Sequence, residues 1–263
     1  MDKPGTPLAN PAPRPALEAI DLTKTYCTSQ GEVTAVAAVN MQAAQGEFVC
    51  IVGPSGCGKT TLLHLFAGLL EPTSGVVRTN GTEIRGPVRD IGLVFQNGNL
   101  MPWRTVLRNV TLPLEIQGVP LREAEDAARG VLELVGLRGF EGARPRELSG
   151  GMQQRVAIAR ALVYDPKILL LDEPFGALDA LTRERMNLEL QRIWQARRKT
   201  VIMVTHNIHE AVFLGDRVLV MTPRPGQICS ETRIPLPRPR DLSVMGTPEF
   251  GALAQSIRAA IYE

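Results

Sequence analysis

The chain has 263 residues, 44% of them apolar, and 29 basic against 27 acidic side chains leave a formal charge of +2. That composition suffices to bury the core of one or two domains, and the near-neutral balance excludes a global field of the kind that draws in nucleic acid or an anionic membrane. Four cysteines, Cys27, Cys50, Cys57 and Cys229, form no CxxC pair and are spaced too irregularly for a metal site or a disulfide framework, which points to a reducing cytosol.

Five prolines in the first fifteen residues and no apolar h-region make residues 1–16 read as a disordered leader and not as a signal peptide. From Leu17 to Gln45, short β-prone runs broken at Gln30 and Gly31 predict an antiparallel edge sheet. EFVCIVG reads as a buried strand, and TTLLHLFAGLL after it as a helix, so the Gly-rich stretch between them lies at a strand-to-helix junction. IGLVFQ predicts a further core strand. Between Leu100 and Tyr164 the β signal fades, and Leu121, Ala124, Ala128, Val131, Leu132 and Val135 take helical spacing, which predicts a helical insert at about 97–163. KILLLDE and TVIMVTH then return as all-apolar strands around the helical pattern LTRERMNLELQRIWQARR, the alternation of a mostly parallel sheet covered on both faces. RVLVM adds a strand, and after the proline-rich IPLPRPR the residues Phe250, Leu253, Ile257 and Ile261 share one face of a docking terminal helix. No window approaches the roughly 18 apolar residues of a membrane-spanning helix.

Three motifs carry chemistry. Gly53-Pro54-Ser55-Gly56-Cys57-Gly58-Lys59-Thr60 fits GxxxxGK[ST], in which glycines let backbone N–H groups face phosphate oxygens at a helix N-terminus. Lys59 reaches the β- and γ-phosphates, the Thr60 hydroxyl is placed for Mg²⁺, and Thr61 continues the phosphate-binding run. Asp172 and Glu173 end a buried strand, where the first is placed to hold the Mg²⁺ shell and the second to polarise an attacking water. To this point any P-loop NTPase, including a kinase or a GTPase, satisfies the pattern. Leu148-Ser149-Gly150-Gly151-Met152-Gln153-Gln154-Arg155 adds a Ser-Gly-Gly turn opening an apolar helix, a second anion-binding helix N-terminus in the same chain. The cations Arg183, Arg185, Arg192, Arg197, Arg198 and Lys199 share their helix with Glu184 and Glu189 and read as a solvated face, not a nucleic-acid surface.

The turn at Ser149 resembles the LSGGQ signature of ABC ATPases, with Met152 where glutamine is usual. The resemblance spans Tyr26 to His206 and implies a P-loop core with a mostly parallel sheet, an N-terminal antiparallel β-subdomain and the helical insert. It implies an ATP-binding domain over 17–225 and a C-terminal extension over 226–263. It also implies a head-to-tail homodimer in which Ser149, Gly150 and Gly151 of one protomer close over the nucleotide held by Lys59 of the other. Gln96 resembles the Q-loop glutamine that touches Mg²⁺ or water, Asp179 the D-loop acid at the dimer interface, and His206 the switch histidine on the γ-phosphate. Tyr26 resembles the aromatic that stacks on adenine; stacking reads no base edge, so ATP over GTP rests on the resemblance.

Two functions remain: the ATPase of a membrane importer, and a soluble ABC ATPase of DNA repair or translation. The short separation of Lys59 from Ser149 leaves no room for a long coiled coil, and one cassette is present where translation-type relatives usually have two. NLMPWRTVLRNVTLPLE, VTHNIHEAVFLGDRVLVMTPRPG and PLPRPRD resemble the nitrate, sulfonate and taurine importer group. That implies permease subunits, met through a groove lined by Asn99 to Val106, a secreted solute-binding protein as indirect partner, no nucleic acid, and a peripheral place on the cytoplasmic face of a bacterial inner membrane.

Overall fold

The computed structural model describes residues 14–29, 31–176 and 178–262; the expected leader up to residue 13 lies outside them. Ala16, at its end, is buried and donates its N–H to Ala43 O.

Two sheets stack in the molecule. The first is antiparallel: β1 (Leu17–Thr28) pairs with β2 (Gly31–Ala43) on one side and with β4 (Ser74–Thr79) on the other, and β5 (Thr82–Glu83) closes the edge. The second runs β10 (Ile228–Arg233), β9 (Arg217–Met221), β3 (Phe48–Val52), β8 (Thr200–Thr205), β7 (Ile168–Asp172), β6 (Ile91–Val94). Its strands from β9 to β6 are parallel, and β10 is an antiparallel edge.

Both faces of this sheet are buried, which is why its central strands are apolar without alternation. Val49 and Ile51 of β3 face the first sheet and helix α1 (Lys59–Phe66), where Leu62, Leu63 and Phe66 complete one core. Phe48, Cys50 and Val52 face the opposite way, into a second core under α2 (Val106–Ile116), α3 (Leu121–Leu134), α4 (Gly150–Leu162), α5 (Ala180–Arg197), α6 (Ile208–Leu214) and α7 (Pro248–Tyr262). Each fully buried Val, Leu, Ile or Phe contributes about 1.5–3 kcal/mol relative to exposure, so these two faces dominate folding. Phe48 also meets the Trp194 ring edge-on, with centroids 6.0 Å apart.

The predicted strands and helices are present, with instructive exceptions. Strands β4 and β10 and the short helix α6 have no counterpart in the sequence reading. Leu121 opens α3 but stays 46% exposed, whereas Ala124, Ala128, Val131, Leu132 and Val135 are buried. The cations expected on one solvated helix face depart from that reading: Arg183 of α5 turns inward to Glu210 (3.3 Å), and Lys199, beyond the end of the helix, pairs with Asp165 (2.9 Å). On α7, Phe250 and Ile257 are buried, Leu253 and Ile261 pack at the margin, and the Phe250 ring stacks on His209 of α6.

Candidate nucleotide site and the family of the chain

Strand β3 delivers the chain into the loop Gly53 to Gly58, and α1 begins at Lys59. Gly56 and Gly58 have φ of +76° and +103°, the left-handed region that only glycine enters freely. A Cβ on Gly58 would lie 2.6 Å from Ala35 O, and one on Gly53 would lie 2.8 Å from Met221 O. The loop is therefore seated against β2 on one side and the end of β9 on the other. The turn after β9 completes the seat: Gly226 donates to Ala35 O and accepts from Ala37 N, both at 3.0 Å, and its own Cβ position is 2.1 Å from Cys57 O. Arg224 donates to Gly56 O at 3.2 Å. Sequence reasoning passed over Arg224 and Gly226, because nothing local in Thr222 to Gln227 shows that this turn folds beneath a loop so distant in the chain.

Lys59 is 5% exposed, with its ammonium folded over the loop's own carbonyls, Gly53 O at 2.9 Å and Pro54 O at 3.0 Å. These neutral acceptors are weaker than an anionic phosphate oxygen, which adds ion–ion attraction to the ammonium. Thr60 Oγ1 donates to Asp172 Oδ1 at 3.1 Å, joining α1 to the end of β7. Burial pushes the Asp172 carboxyl above the usual range, against the Thr60 hydrogen bond that lowers it. Glu173 has φ of +42°, an uncommon conformation for a branchless but non-glycine residue, which turns its carboxylate out of the strand line. Its Oε2 lies 3.0 Å from His206 Nδ1 and accepts weakly from Gln96 Nε2 at 3.5 Å. Four strand ends, those of β3, β6, β7 and β8, thus converge on one edge of the sheet.

A cavity of about 480 Å³ opens there, lined by Tyr26, Ser55, Gly56, Lys59, Thr60, Thr61, Glu173 and Arg224 among others. Tyr26 sits at its rim on β1, with Lys24 Nζ 5.5 Å from the ring centroid. Ser149, Gly150 and Gly151 do not line it. Ser149 instead caps α4, accepting from Met152 N at 3.3 Å, and the Ser149–Gly150 turn is exposed. Asp179 caps α5, and the Thr182 hydrogen bonds hold its carboxyl below the usual range. The signature turn and this cap are neighbours: Cβ positions on Gly150 and Gly151 would fall 3.4 Å from Leu178 and 3.1 Å from Thr182. Ala177, within the expected D-loop, lies outside the described residues.

A sequence profile described as ABC transporter matches residues 36–176. The chain belongs to the ABC transporter ATP-binding family. An uncharacterized ABC transporter ATP-binding protein of Methanocaldococcus jannaschii is 53% identical over 86% of this chain and 84% of its own length. A nitrate import ATP-binding protein of Synechocystis sp. is 47% identical over 93% and 94%, and a taurine import ATP-binding protein of Jannaschia sp. is 44% identical over 89% and 88%. Among solved structures, a bacterial ABC transporter cassette determined as a dimer superposes with a TM-score of 0.74 at 37% identity, covering 83% of this chain and 98% of its own; a second determination of it, with the same figures, is of a post-hydrolysis state bound to ADP and Pi. The protein is an ATP-binding, ATP-hydrolysing ABC cassette, and its fold is the ABC ATPase fold.

Proposed function

We propose that this cassette energises an importer of a small anionic solute of the nitrate or taurine type, by ATP-driven closure of a head-to-tail homodimer. The observation that carries the dimer is the division of the phosphate-binding elements: the cavity with Lys59 is not lined by the signature turn, and Ser149 and Gly150 of that turn are presented to solvent. The names of the nitrate and taurine relatives support the solute class.

In this reading ATP lies with adenine on Tyr26 and its β- and γ-phosphates over the loop Gly53 to Thr60, including Pro54, Ser55, Gly56, Cys57 and Gly58, with Thr61 behind them. Lys59 exchanges its loop carbonyls for phosphate oxygens, and the N-terminus of α1 faces the same charge. The oxygen donors Thr60 and Asp172, 3.1 Å apart, together with Gln96 suit a hard cation such as Mg²⁺. Bound there with ATP, Mg²⁺ supplies neutralisation of charge on the transferring phosphoryl group. Glu173 takes a proton from the attacking water, and His206, hydrogen-bonded to that carboxylate, fixes its direction and meets the γ-phosphate. Ser149, Gly150 and Gly151 of the second protomer complete the shell, with Asp179 at the crossing between them.

Coupling to permease subunits is placed at the helical insert. A groove of about 590 Å³ runs between Leu93, Phe95, Met101, Leu112, Ile116 and Tyr164. Beside it Trp103 is 71% exposed on a loop that Asn109 pins through Met101 N, Met101 O, Arg104 O and Thr105 O. A rigid loop holding an aromatic in water is the form of a docking site and not of a packed core. No described helix is long and apolar enough to cross a membrane, so attachment to the cytoplasmic face of a bacterial inner membrane rests on those permeases, and a secreted binding protein delivers the solute to them. Residues 17–225, with the insert at about 97–163, are the ATP-binding domain in this proposal, and 226–263 the extension.

The decisive variant is Glu173→Gln. Turnover falls by about 100-fold or more, while a dimer accumulates in ATP by size-exclusion chromatography. A monomeric variant that hydrolyses ATP at the normal rate overturns the proposal. Recovery of the cassette from cells with a multispanning membrane protein supports transport, and recovery with ribosomes or DNA refutes it.

A further inference from the structure

The Glu173–His206 contact belongs to a closed ring of interactions whose other members serve no role assigned above. His206 is flanked by two anchored residues. Thr205, the last residue of β8, donates its hydroxyl to Glu210 Oε2 at 2.8 Å and accepts from Asn207 N at 3.0 Å. Asn207 caps α6, accepting from His209 N and Glu210 N at 2.9 and 3.2 Å. Glu210 is only 3% exposed, and its second oxygen meets Arg183 Nε of α5 at 3.3 Å. Arg183 then reaches back to the segment that follows Glu173, donating to Leu178 O at 2.9 Å and to Phe175 O at 3.4 Å. That segment returns to the start through Gly176 N and Glu173 O, 3.0 Å apart.

A buried carboxylate is retained against its desolvation only where partners satisfy it, and burial does push the Glu210 carboxyl upward despite Thr205 and Arg183. Both partners here are backbone-positioning contacts: one holds the residue before His206, and the other holds the carbonyls before Asp179. We infer that the Arg183–Glu210 ion pair is a positioning pair that holds Phe175 and Leu178 in register with His206, so that closure against a second protomer and alignment of Glu173 occur as one event. This rests on the roles proposed for His206 and Asp179. Leu178, in that segment, and Thr182, just after it, also lie beside the signature turn, where Cβ positions on Gly150 and Gly151 would fall 3.4 and 3.1 Å from them, so a shift of Arg183 carries to that turn as well.

The ring also gives a reason for an arginine on α5 to face a buried glutamate on α6. Removing one partner strands the other in a buried site, whereas removing both leaves two uncharged groups of similar volume. The test therefore compares Arg183→Met, Glu210→Gln and the double variant, with Arg183→Lys as the conservative change, in the full chain. ATP affinity is read by fluorescence of a labelled nucleotide, melting by calorimetry, and hydrolysis as kcat, KM and Hill coefficient. The single variants and the double variant are each expected to keep ATP affinity within about twofold and to lose kcat by about 10- to 100-fold, the range for misplacement of a reacting group. Their Hill coefficient is expected to fall toward one. The double variant should be no worse than the worse single, and Arg183→Lys, which keeps the charge but not both carbonyl contacts, should fall between. If the double variant melts as the wild type does and hydrolyses ATP normally and cooperatively, the inference fails. It also fails if kcat, KM and ATP affinity decline together in step with melting temperature, the mark of general unfolding. Glu173→Gln and His206→Ala run alongside separate the cases: if those two retain turnover the site itself is misread, and if they lose it while the pair variants do not, only the pair is misread.

Discussion

The phosphate loop and the signature turn are both glycine-bearing segments that open a helix, yet the chain treats them in opposite ways. Around the loop the side chains and the supporting turn find partners within the chain: Lys59 on Gly53 and Pro54, Thr60 on Asp172, Gly226 on Ala35 and Ala37, Arg224 on Gly56. Around the turn Ser149 caps its own helix, and Ser149 and Gly150 are left to water. On the proposed reading, such a site binds its ligand as a monomer and is finished by association, which would make hydrolysis a report on closure.

The sharpest way to break that contrast is to damage the two regions in separate chains. Lys59→Ala should weaken ATP binding by about 10- to 100-fold, since hydrogen bonds to charged groups are worth about 1.5–3 kcal/mol. Ser149→Glu should leave binding to the monomer intact, because an acid is tolerated at a helix N-terminus, but should abolish turnover by opposing the γ-phosphate. Neither variant turns over alone, and an equimolar mixture should recover a measurable fraction of wild-type ATPase; no recovery in a steady-state assay would mean that the two regions do not meet between protomers. Next in size is Gly226→Ala. Its methyl must displace the phosphate loop or the turn beneath it, so stability should drop by about 1–3 kcal/mol in denaturant titrations, and ATP affinity with it. Tyr26→Ala should weaken ATP binding by about 1–3 kcal/mol in calorimetric titration, with Tyr26→Phe near wild type, because stacking needs the ring and not the hydroxyl.

The smallest effect is on the apo protein. Burial raises the Asp172 carboxyl above its unfolded value, so ionisation is harder in the folded state, and stability from this group declines as pH rises through the folded pKa. Asp172→Asn should therefore melt a few degrees higher than wild type at neutral pH without Mg²⁺ or nucleotide, and the gap should close as pH falls through that range.

What was legible in the sequence was what is local. The loop Gly53 to Thr60, the apolar strands β3, β7 and β8, and the Ser149 cap each follow from a few adjacent residues. Strand β10 was not legible because an edge strand of alternating exposure, ICSETR, carries no apolar run, and β4 because its first residues are exposed. Helix α6 is too short for a period to emerge. Arg183 was read with its helix neighbours as a solvated face, since charge along a helix says nothing of which residue finds a buried partner on another element. The seat beneath the phosphate loop was invisible for the same reason: Gly226 matters through a contact that only the fold creates.

The seat has a chemical corollary. Cys57 lies within the phosphate loop, 1% exposed, its sulfur 3.8 Å from the Lys59 ammonium, while Cys27 and Cys229 are open to solvent. An alkylating reagent meets two thiols at once and this third one only when the loop lifts off its support. The chain thus carries its own clock for breathing of the nucleotide site, with two internal standards, and bound ATP should slow one hand of it and leave the others running.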